Sequence, residues 1–541
     1  MRRFWLVIVL LVSCQQTPCQ APRDDHSTLS SLRWVPASVS AVVQTARLQT
    51  LLDLSAQLVD RLPPTSPFVL ARQQWQRVLG VDPLKAEDWA GLGVDVAGSA
   101  TVFEDDGHWI VHARVVAPET LSAWLEARRG ANTFIVQTQD INGWTVTHLS
   151  LQDHTSVLAI AVLDGDTLFL PAARLQPSVQ KPVSRLDAVL RLSKLTAEQR
   201  FENASWAKGF ASEFGDARIA GVFQPAKWLA NTMGEGQAEI IFQRLKNQMG
   251  PIGFMAHFVP ESQAVELDLI SHVDPREPTF VRDLKGARGQ LPVVGGLVDP
   301  GVLGVVRLSA QPRKFFDLLR SLLPPESRTA LDQWIQELDN ALAIDLVGDV
   351  MTNLAGHAVV AIYGFEPSVL RIDNPQLAFD LLTLNATREA VLMPIADRKR
   401  MERVLDAWTQ ASRGKLSRQP AGDTVQYAWL EDGALSWALI LGRDHVVFVD
   451  STAAFDHAIA YERSARPLDA SLIERGLPDL FEGVDRSGIY LDTTSLSNLL
   501  AESKNEELAS YLRPFRSFIL TSEMSGQSNR IHVRALLSRV D

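Results

Sequence analysis

Cysteine is nearly absent. Cys14 and Cys19 are the two in 541 residues, so no disulfide framework can staple the body, and its size must supply the core instead. Positive charge is in deficit: 52 Lys and Arg stand against 63 Asp and Glu, a net charge of −11. That balance argues against nucleic acid, whose phosphates need compensating cations, and against electrostatic adhesion to anionic lipid. The apolar run at the start, Phe4 to Val12, is too short for a bilayer core, which takes about 20 residues. Motifs of catalysis are missing too. There is no G-x-S-x-G, no H-E-x-x-H, no G-x-x-x-x-G-K-[ST], and no G-x-G-x-x-G after a strand.

What is present begins at the N terminus. Arg2 and Arg3 precede the apolar run, and Ser13 and Cys14 follow it. A basic start, a short apolar core and small residues at the end make a secretory signal peptide. Its ending, Leu11-Val12-Ser13-Cys14, resembles the lipobox of bacterial lipoproteins. The resemblance implies cleavage between Ser13 and Cys14, lipidation of Cys14 and anchorage of the chain in a bacterial cell envelope. It covers residues 1–14 alone. Gln15 stands where an aspartate would imply inner-membrane retention in enteric bacteria, so the expected location is the outer membrane. Loss of Arg2 and Arg3 with the signal peptide would take the net charge from −11 to −13. Residues 14–31, rich in Gln, Pro, Ser and charge, read as a disordered tether that holds the body roughly 20–25 Å from the lipid. With Cys14 lipidated, Cys19 has no intramolecular partner.

Beyond residue 32 the period of the apolar residues alternates between 2 and 3.6. Helices are expected at 48–62, 68–79, 84–92 and 118–129, and strands at 99–103, 109–116, 134–138, 144–149, 157–163 and 167–170. A second pass through the chain matches the first. Val42-Val43 matches Val305-Val306, Leu51-Leu52-Asp53-Leu54 matches Phe315-Phe316-Asp317-Leu318, and Pro63-Pro64 matches Pro324-Pro325. Asp82 matches Asp345, Gly93 matches Gly356, and Gly221-Val222-Phe223 matches Gly488-Ile489-Tyr490. A collinear series of this kind implies duplication. The expected fold class is α+β, with two homologous halves, 32–274 and 295–541, each a mainly antiparallel sheet with packed helices. Residues 275–294, rich in Pro, Gly and charge, are the linker. The layout of lipobox, tether and duplicated body resembles that of uncharacterised families of cell-envelope lipoproteins.

Candidate chemistry is sparse. His108 and His112 lie four apart in an expected strand and so share a face, where two imidazoles could begin a metal site; no third ligand is near, and an exposed sheet face is the plainer reading. Glu104-Asp105-Asp106 and Asp164-Gly165-Asp166 lack the alternating ligands of a calcium loop and read as solvated hairpin tips. Ser205 and Lys208 have S-x-x-K spacing without the companion segments of the penicillin-binding enzymes. Trp34, Trp75, Trp89, Trp109, Trp124, Trp144, Trp206 and Trp228 fall mostly at apolar-periodic positions, which points to core packing, or else to a ligand-facing groove. No catalytic residue, cofactor or metal is expected.

The expected function is that of a lipid-anchored, non-enzymatic binding or scaffold protein. Its partners would be the membrane, through the N-terminal lipid, and envelope proteins. The alternative is a carrier or chaperone for a small apolar ligand, such as a lipid or another lipoprotein. A dry cavity would favour the carrier, and an exposed apolar patch the scaffold.

Overall fold

The computed structural model describes residue 32 and residues 34–538, apart from 106–107, 131–133, 153–155, 164–165, 172–184, 205–218, 225–250, 261, 273–293, 310–311, 324, 366–386, 432, 464–466, 482–486, 503–504 and 526–527. The leader, the tether, most of the linker and the Ser205/Lys208 pair therefore lie outside the described residues. The chain divides between His272 and Val273.

The first unit has ten strands: β1 (Ala41–Thr45), β2 (Ala100–Asp105), β3 (His108–Arg114), β4 (Phe134–Ile141), β5 (Trp144–Leu151), β6 (Ser156–Leu163), β7 (Asp166–Pro171), β8 (Ile219–Phe223), β9 (Ile252–Val259) and β10 (Ala264–His272). They pair antiparallel in the order β4-β5-β6-β7-β3-β2-β1-β8-β9-β10. Helices α1 (Leu48–Val59), α2 (Pro67–Leu79), α3 (Ala86–Ala90) and α4 (Pro118–Gly130) precede the β4 hairpin, and α5 (Arg185–Leu192) follows β7.

The second unit has β11 (Gly304–Ser309), β12 (His357–Phe365), β13 (Thr387–Pro394), β14 (Leu416–Ala421), β15 (Thr424–Glu431), β16 (Ala434–Leu441), β17 (His445–Val449), β18 (Ser487–Asp492), β19 (Phe515–Ser525) and β20 (Ser528–Leu537). Its order is β14-β15-β16-β17-β13-β12-β11-β18-β19-β20, the same as that of the first unit. Its helices are α6 (Pro312–Leu322), α7 (Pro325–Leu342), α8 (Arg398–Ala411), α9 (Thr452–Arg463), α10 (Ala470–Glu474), α11 (Thr493–Glu502) and α12 (Glu506–Leu512).

The expected α+β class is contradicted: the described strands pair into extensive antiparallel sheet, ten strands in each unit, and the fold is mostly sheet with helices added. The reason is physical. Alternation marks a segment as a strand, but ladder membership depends on partners far away in sequence, as when Val43 pairs with Gly221 or Val306 with Ile489.

Both faces of the first unit's sheet are covered. Along β7, Leu168 and Leu170 pack with Phe103, Ile110 and Trp144 against residues 32–39 and α5. Phe169 points the other way, into a core with Leu48, Leu52, Leu79, Trp89 and Leu121 from α1–α4. Period-2 alternation thus feeds two cores. In the second unit, Val447 and Val449 pack under α9 and α10, while Val446 joins Met401 and Leu405 of α8.

The glycine match needs a correction. Gly221 lies opposite Val43, whereas Gly488 lies opposite Arg307, one register step away. The buried counterpart of Tyr490, which faces Val305, is therefore Val222, which faces Val42; Phe223 is half-buried. One residue of slip changes the face. Gly93 and Gly356 do correspond: both adopt left-handed backbone, with φ of 82° and 90°.

Candidate functional site

Of the residues singled out in the sequence, Ser13, Cys14, Asp106, Asp164, Ser205 and Lys208 lie outside the described residues, as does the side chain of His108, which opens β3. His112 is not on an exposed face. It is 4% exposed and its Nε2 lies 3.1 Å from Asp166 Oδ1. The indole N–H of Trp34 donates to the other oxygen of Asp166 at 3.2 Å, and Trp34 packs edge-on against Trp144 with ring centroids 4.7 Å apart.

The two expected hairpin tips are likewise anchored. Asp105 is buried and accepts from Arg191 of α5 at 2.6 Å, and Ser40 donates to Glu104. The reason is that Asp105 and Asp166 end their strands on the covered face, shared with Phe103 and Leu168, so burial and pairing go together. An aspartate holding an imidazole resembles the orienting half of a catalytic triad. His112 is buried and the Asp166 side chain is 16% exposed, so the pair sits at the edge of the core and gives its polar groups partners there.

The second unit has three groups that the sequence reading passed over. Arg307 of β11 is 1% exposed and donates from Nη1 to the Leu480 carbonyl at 3.0 Å. The signal for it was an inward phase: Val305 and Arg307 share one face of the strand. The other two groups are histidines that fasten α9 at two points. His457 on the helix meets Asp299 at 2.8 Å and stacks on Tyr363 with ring centroids 4.2 Å apart. His445 on β17 meets Glu462 of the helix, and its own neighbour Asp444, at 2.5 Å and 2.8 Å. The hydrogen bond that the His457 imidazole donates to Asp299 raises the pKa of His457 against the effect of burial. Burial would lower that of His445, but Glu462 and then Asp444 outweigh it and the net direction is upward. Among the described residues, no three His, Cys, Asp or Glu side chains converge as a metal site.

Besides the Trp34–Trp144 pair, two groups of three tryptophans gather among the described residues; Trp206 and Trp228 lie outside them. In the first unit Trp75, Trp89 and Trp124 line an apolar cavity of about 10 Å³ with Leu79, Leu158 and Phe169. A ligand pocket takes roughly 300–1,000 Å³, so this is a packing gap in the core. In the second unit Trp437 lies between Trp408 and Trp429, at 5.4 Å and 5.6 Å, and touches Phe448 at 6.3 Å.

Trp124 and Trp408 sit at corresponding places, on the helix between the third and fourth strands of each unit. The sequence around them repeats as Ala-Trp-x-x-Ala-x-Arg-Gly: Ala123-Trp124 to Gly130, and Ala407-Trp408 to Gly414. This match is legible in the sequence and was missed because its spacing departs from that of the other pairs. Each cluster has a cation over a ring. Arg128 lies 5.5 Å from Trp124, and Lys415 lies 5.8 Å from Trp429.

Apolar exposure is concentrated in the second unit. Leu308 and Ile489 are diagonal neighbours on one sheet face, 43% and 39% exposed. Helix α7 spans 18 residues with none buried, and its Trp334 is 55% exposed. No helix among the described residues is long and apolar enough to cross a membrane.

No family model matches the chain, and no curated protein does. Among solved structures, crystal form IV of TP0453 is similar over 48% of this chain and 86% of its own, at 8% identity and a TM-score of 0.26. Crystal form I of TP0453 gives 48%, 84%, 8% and 0.23. Likenesses at this level carry no argument about fold or function.

Proposed function

We propose that this is a lipid-anchored protein of the bacterial cell envelope that works by binding partners rather than by turning over a substrate. The anchor would be Cys14, the tether residues 14–31, and the expected site the outer membrane. The observation that carries the binding role is the apolar exposure of the second unit. An 18-residue amphipathic helix, α7, buries none of its side chains and leaves Trp334 55% exposed. An exposed indole on such a helix is apolar surface that a bound partner would take out of water. A carrier would need a cavity, and the one lined by Trp75, Trp89 and Trp124 is about 10 Å³, smaller than a single methylene chain requires.

The test is site-specific photo-crosslinking in the native envelope. A photoreactive residue in place of Trp334 or Ile489 should give a discrete adduct that the same residue at exposed Gln419 does not give. Equal adducts at all three positions would defeat the reading. Stoichiometric lipid extracted from the purified protein would favour the carrier instead.

A further inference from the structure

The chain is acidic as a whole but not everywhere. From Arg398 to Arg418 there are seven cations, Arg398, Lys399, Arg400, Arg403, Arg413, Lys415 and Arg418, and two acids, Glu402 and Asp406. Some of this charge is used internally. Arg400 binds Asp349 at 2.7 Å, and Arg418 binds Glu402 at 2.7 Å and Asp406 at 3.0 Å. Arg413 and Lys415 follow α8 in an exposed turn, with Gly414 between them.

One of these cations stands over an indole. Lys415 lies over Trp429, Trp429 stacks on Trp437 with 13° between the planes, and Trp437 meets Trp408, which is 38% exposed. Leu430, 44% exposed, donates its backbone N–H to the Lys415 carbonyl at 3.3 Å. Core packing accounts for Trp437, which closes the cluster of Leu405, Val425 and Tyr427. It does not account for the 38% exposure of Trp408, on the helix that leads into the exposed turn of Arg413 and Lys415. The corresponding corner of the first unit is different: Arg129 is paired with Glu126 at 2.6 Å, and Trp124 lines the core cavity.

We propose that this corner, made of Trp408, Trp429, Leu430, Arg413 and Lys415, is a docking surface for an anionic membrane. Two physical features select lipid as the occupant. Indoles and long cationic side chains together suit the layer of headgroups, where the ring rests at the polar boundary and the cation reaches phosphate. The charge distribution also imposes orientation: residues 398–418 carry seven cations against two acids in a chain of net −11, and with Arg400 and Arg418 paired, the exposed Arg413 and Lys415 supply the corner's positive charge against Glu431, which accepts from the Trp429 indole at 3.4 Å, so anionic lipid attracts this corner and repels the remainder. The surplus overturns, for this one surface, the expectation drawn from net charge. The proposal deepens the lipid-anchored reading and rests on it for effect, because a short tether holds the body close enough for a weak contact to be occupied.

The test uses the mature chain from residue 14 onward, expressed without the signal peptide and with Cys14→Ser so that no lipid can be attached, and vesicles of phosphatidylcholine with or without phosphatidylglycerol. Sedimentation should show tighter binding to the anionic vesicles, weakening as salt rises. Arg413→Gln with Lys415→Gln should weaken that binding by roughly fivefold per charge, about 25-fold in all. The pair Arg77→Gln and Lys194→Gln, both exposed in the first unit, should leave it unchanged. All variants should keep the native unfolding temperature. Equal binding to neutral vesicles, equal loss in the control pair, or equally tight binding of soluble dextran sulfate would overturn the proposal. Lipid labelling at Cys14 is a separate readout, so a failed anchor and a failed docking surface give different results.

Discussion

Trp144→Ala offers a sharp test of how the chain is partitioned. Trp144 is 1% exposed, begins β5 and packs edge-on against Trp34 in a core with Val146, Ala161 and Leu168. Truncating a buried tryptophan to alanine costs about 3–5 kcal/mol, from lost transfer energy and the cavity left behind. The aromatic pair contributes roughly 0.5–1.5 kcal/mol of that total beyond its area. For a unit of 150–250 residues each kcal/mol moves the midpoint by about 2–4 °C, so the expected shift is roughly 6–20 °C. If the units on either side of His272 unfold separately, calorimetry of the full chain resolves two transitions, and this variant lowers one of them. Tyr427→Ala, at a site with no exposure in the second unit, should lower the other. A single transition that moves as a whole with either variant would refute independent units. A shift below about 2 °C for Trp144→Ala would refute the core assignment.

Other consequences are as definite. His445 and His457 have pKa values raised above their ordinary 6.5 by Glu462 with Asp444, and by Asp299 with Asp456, respectively. The stability they contribute is therefore fully present below about pH 6.5 and is lost as the pH rises through their raised folded values. His445→Gln with His457→Gln should flatten that decline in a titration of the unfolding midpoint; an unchanged slope would mean that neither histidine is charged in its pair. Arg307→Ala should cost at least about 2–3 kcal/mol in denaturant unfolding, because it leaves the Leu480 carbonyl without its charged donor and opens a cavity. Gly93→Ala and Gly356→Ala should each cost about 1 kcal/mol or more from left-handed backbone, and at Gly93 the added Cβ would also meet the Ala117 carbonyl, a difference read in denaturant unfolding.

Much of the local structure was legible because its causes are local. Period and punctuation place α1 at Leu48–Val59 and α2 at Pro67–Leu79 close to where the apolar spacing puts them, and β2 and β3 pair antiparallel up to Asp105 opposite His108. Gly93 and Gly356 were matched through a turn that only positive φ satisfies. What failed was non-local. The fold class depends on pairings between distant strands, and the glycines at 221 and 488 look equivalent until register sets them on different faces. His112, Asp105 and Asp166 were read as exposed because polar residues near turns usually are. Only the fold reveals that α5 and the segment around Trp34 cover that end of the sheet. The Trp408 corner joins residues from one helix, one turn and one strand; the repeated Ala-Trp-x-x-Ala-x-Arg-Gly was visible, but the convergence was not.

The central claim is that the chain is a lipid-anchored envelope protein, and the most direct measurement is intact mass and N-terminal peptide analysis of the protein extracted from a bacterial envelope. The account predicts a mature chain beginning at Cys14, with acyl groups on that residue, and an uncut, unlabelled precursor in Cys14→Ala. A mature protein that begins after Cys14, or that carries an unmodified Cys14 and is released in soluble form, would contradict it.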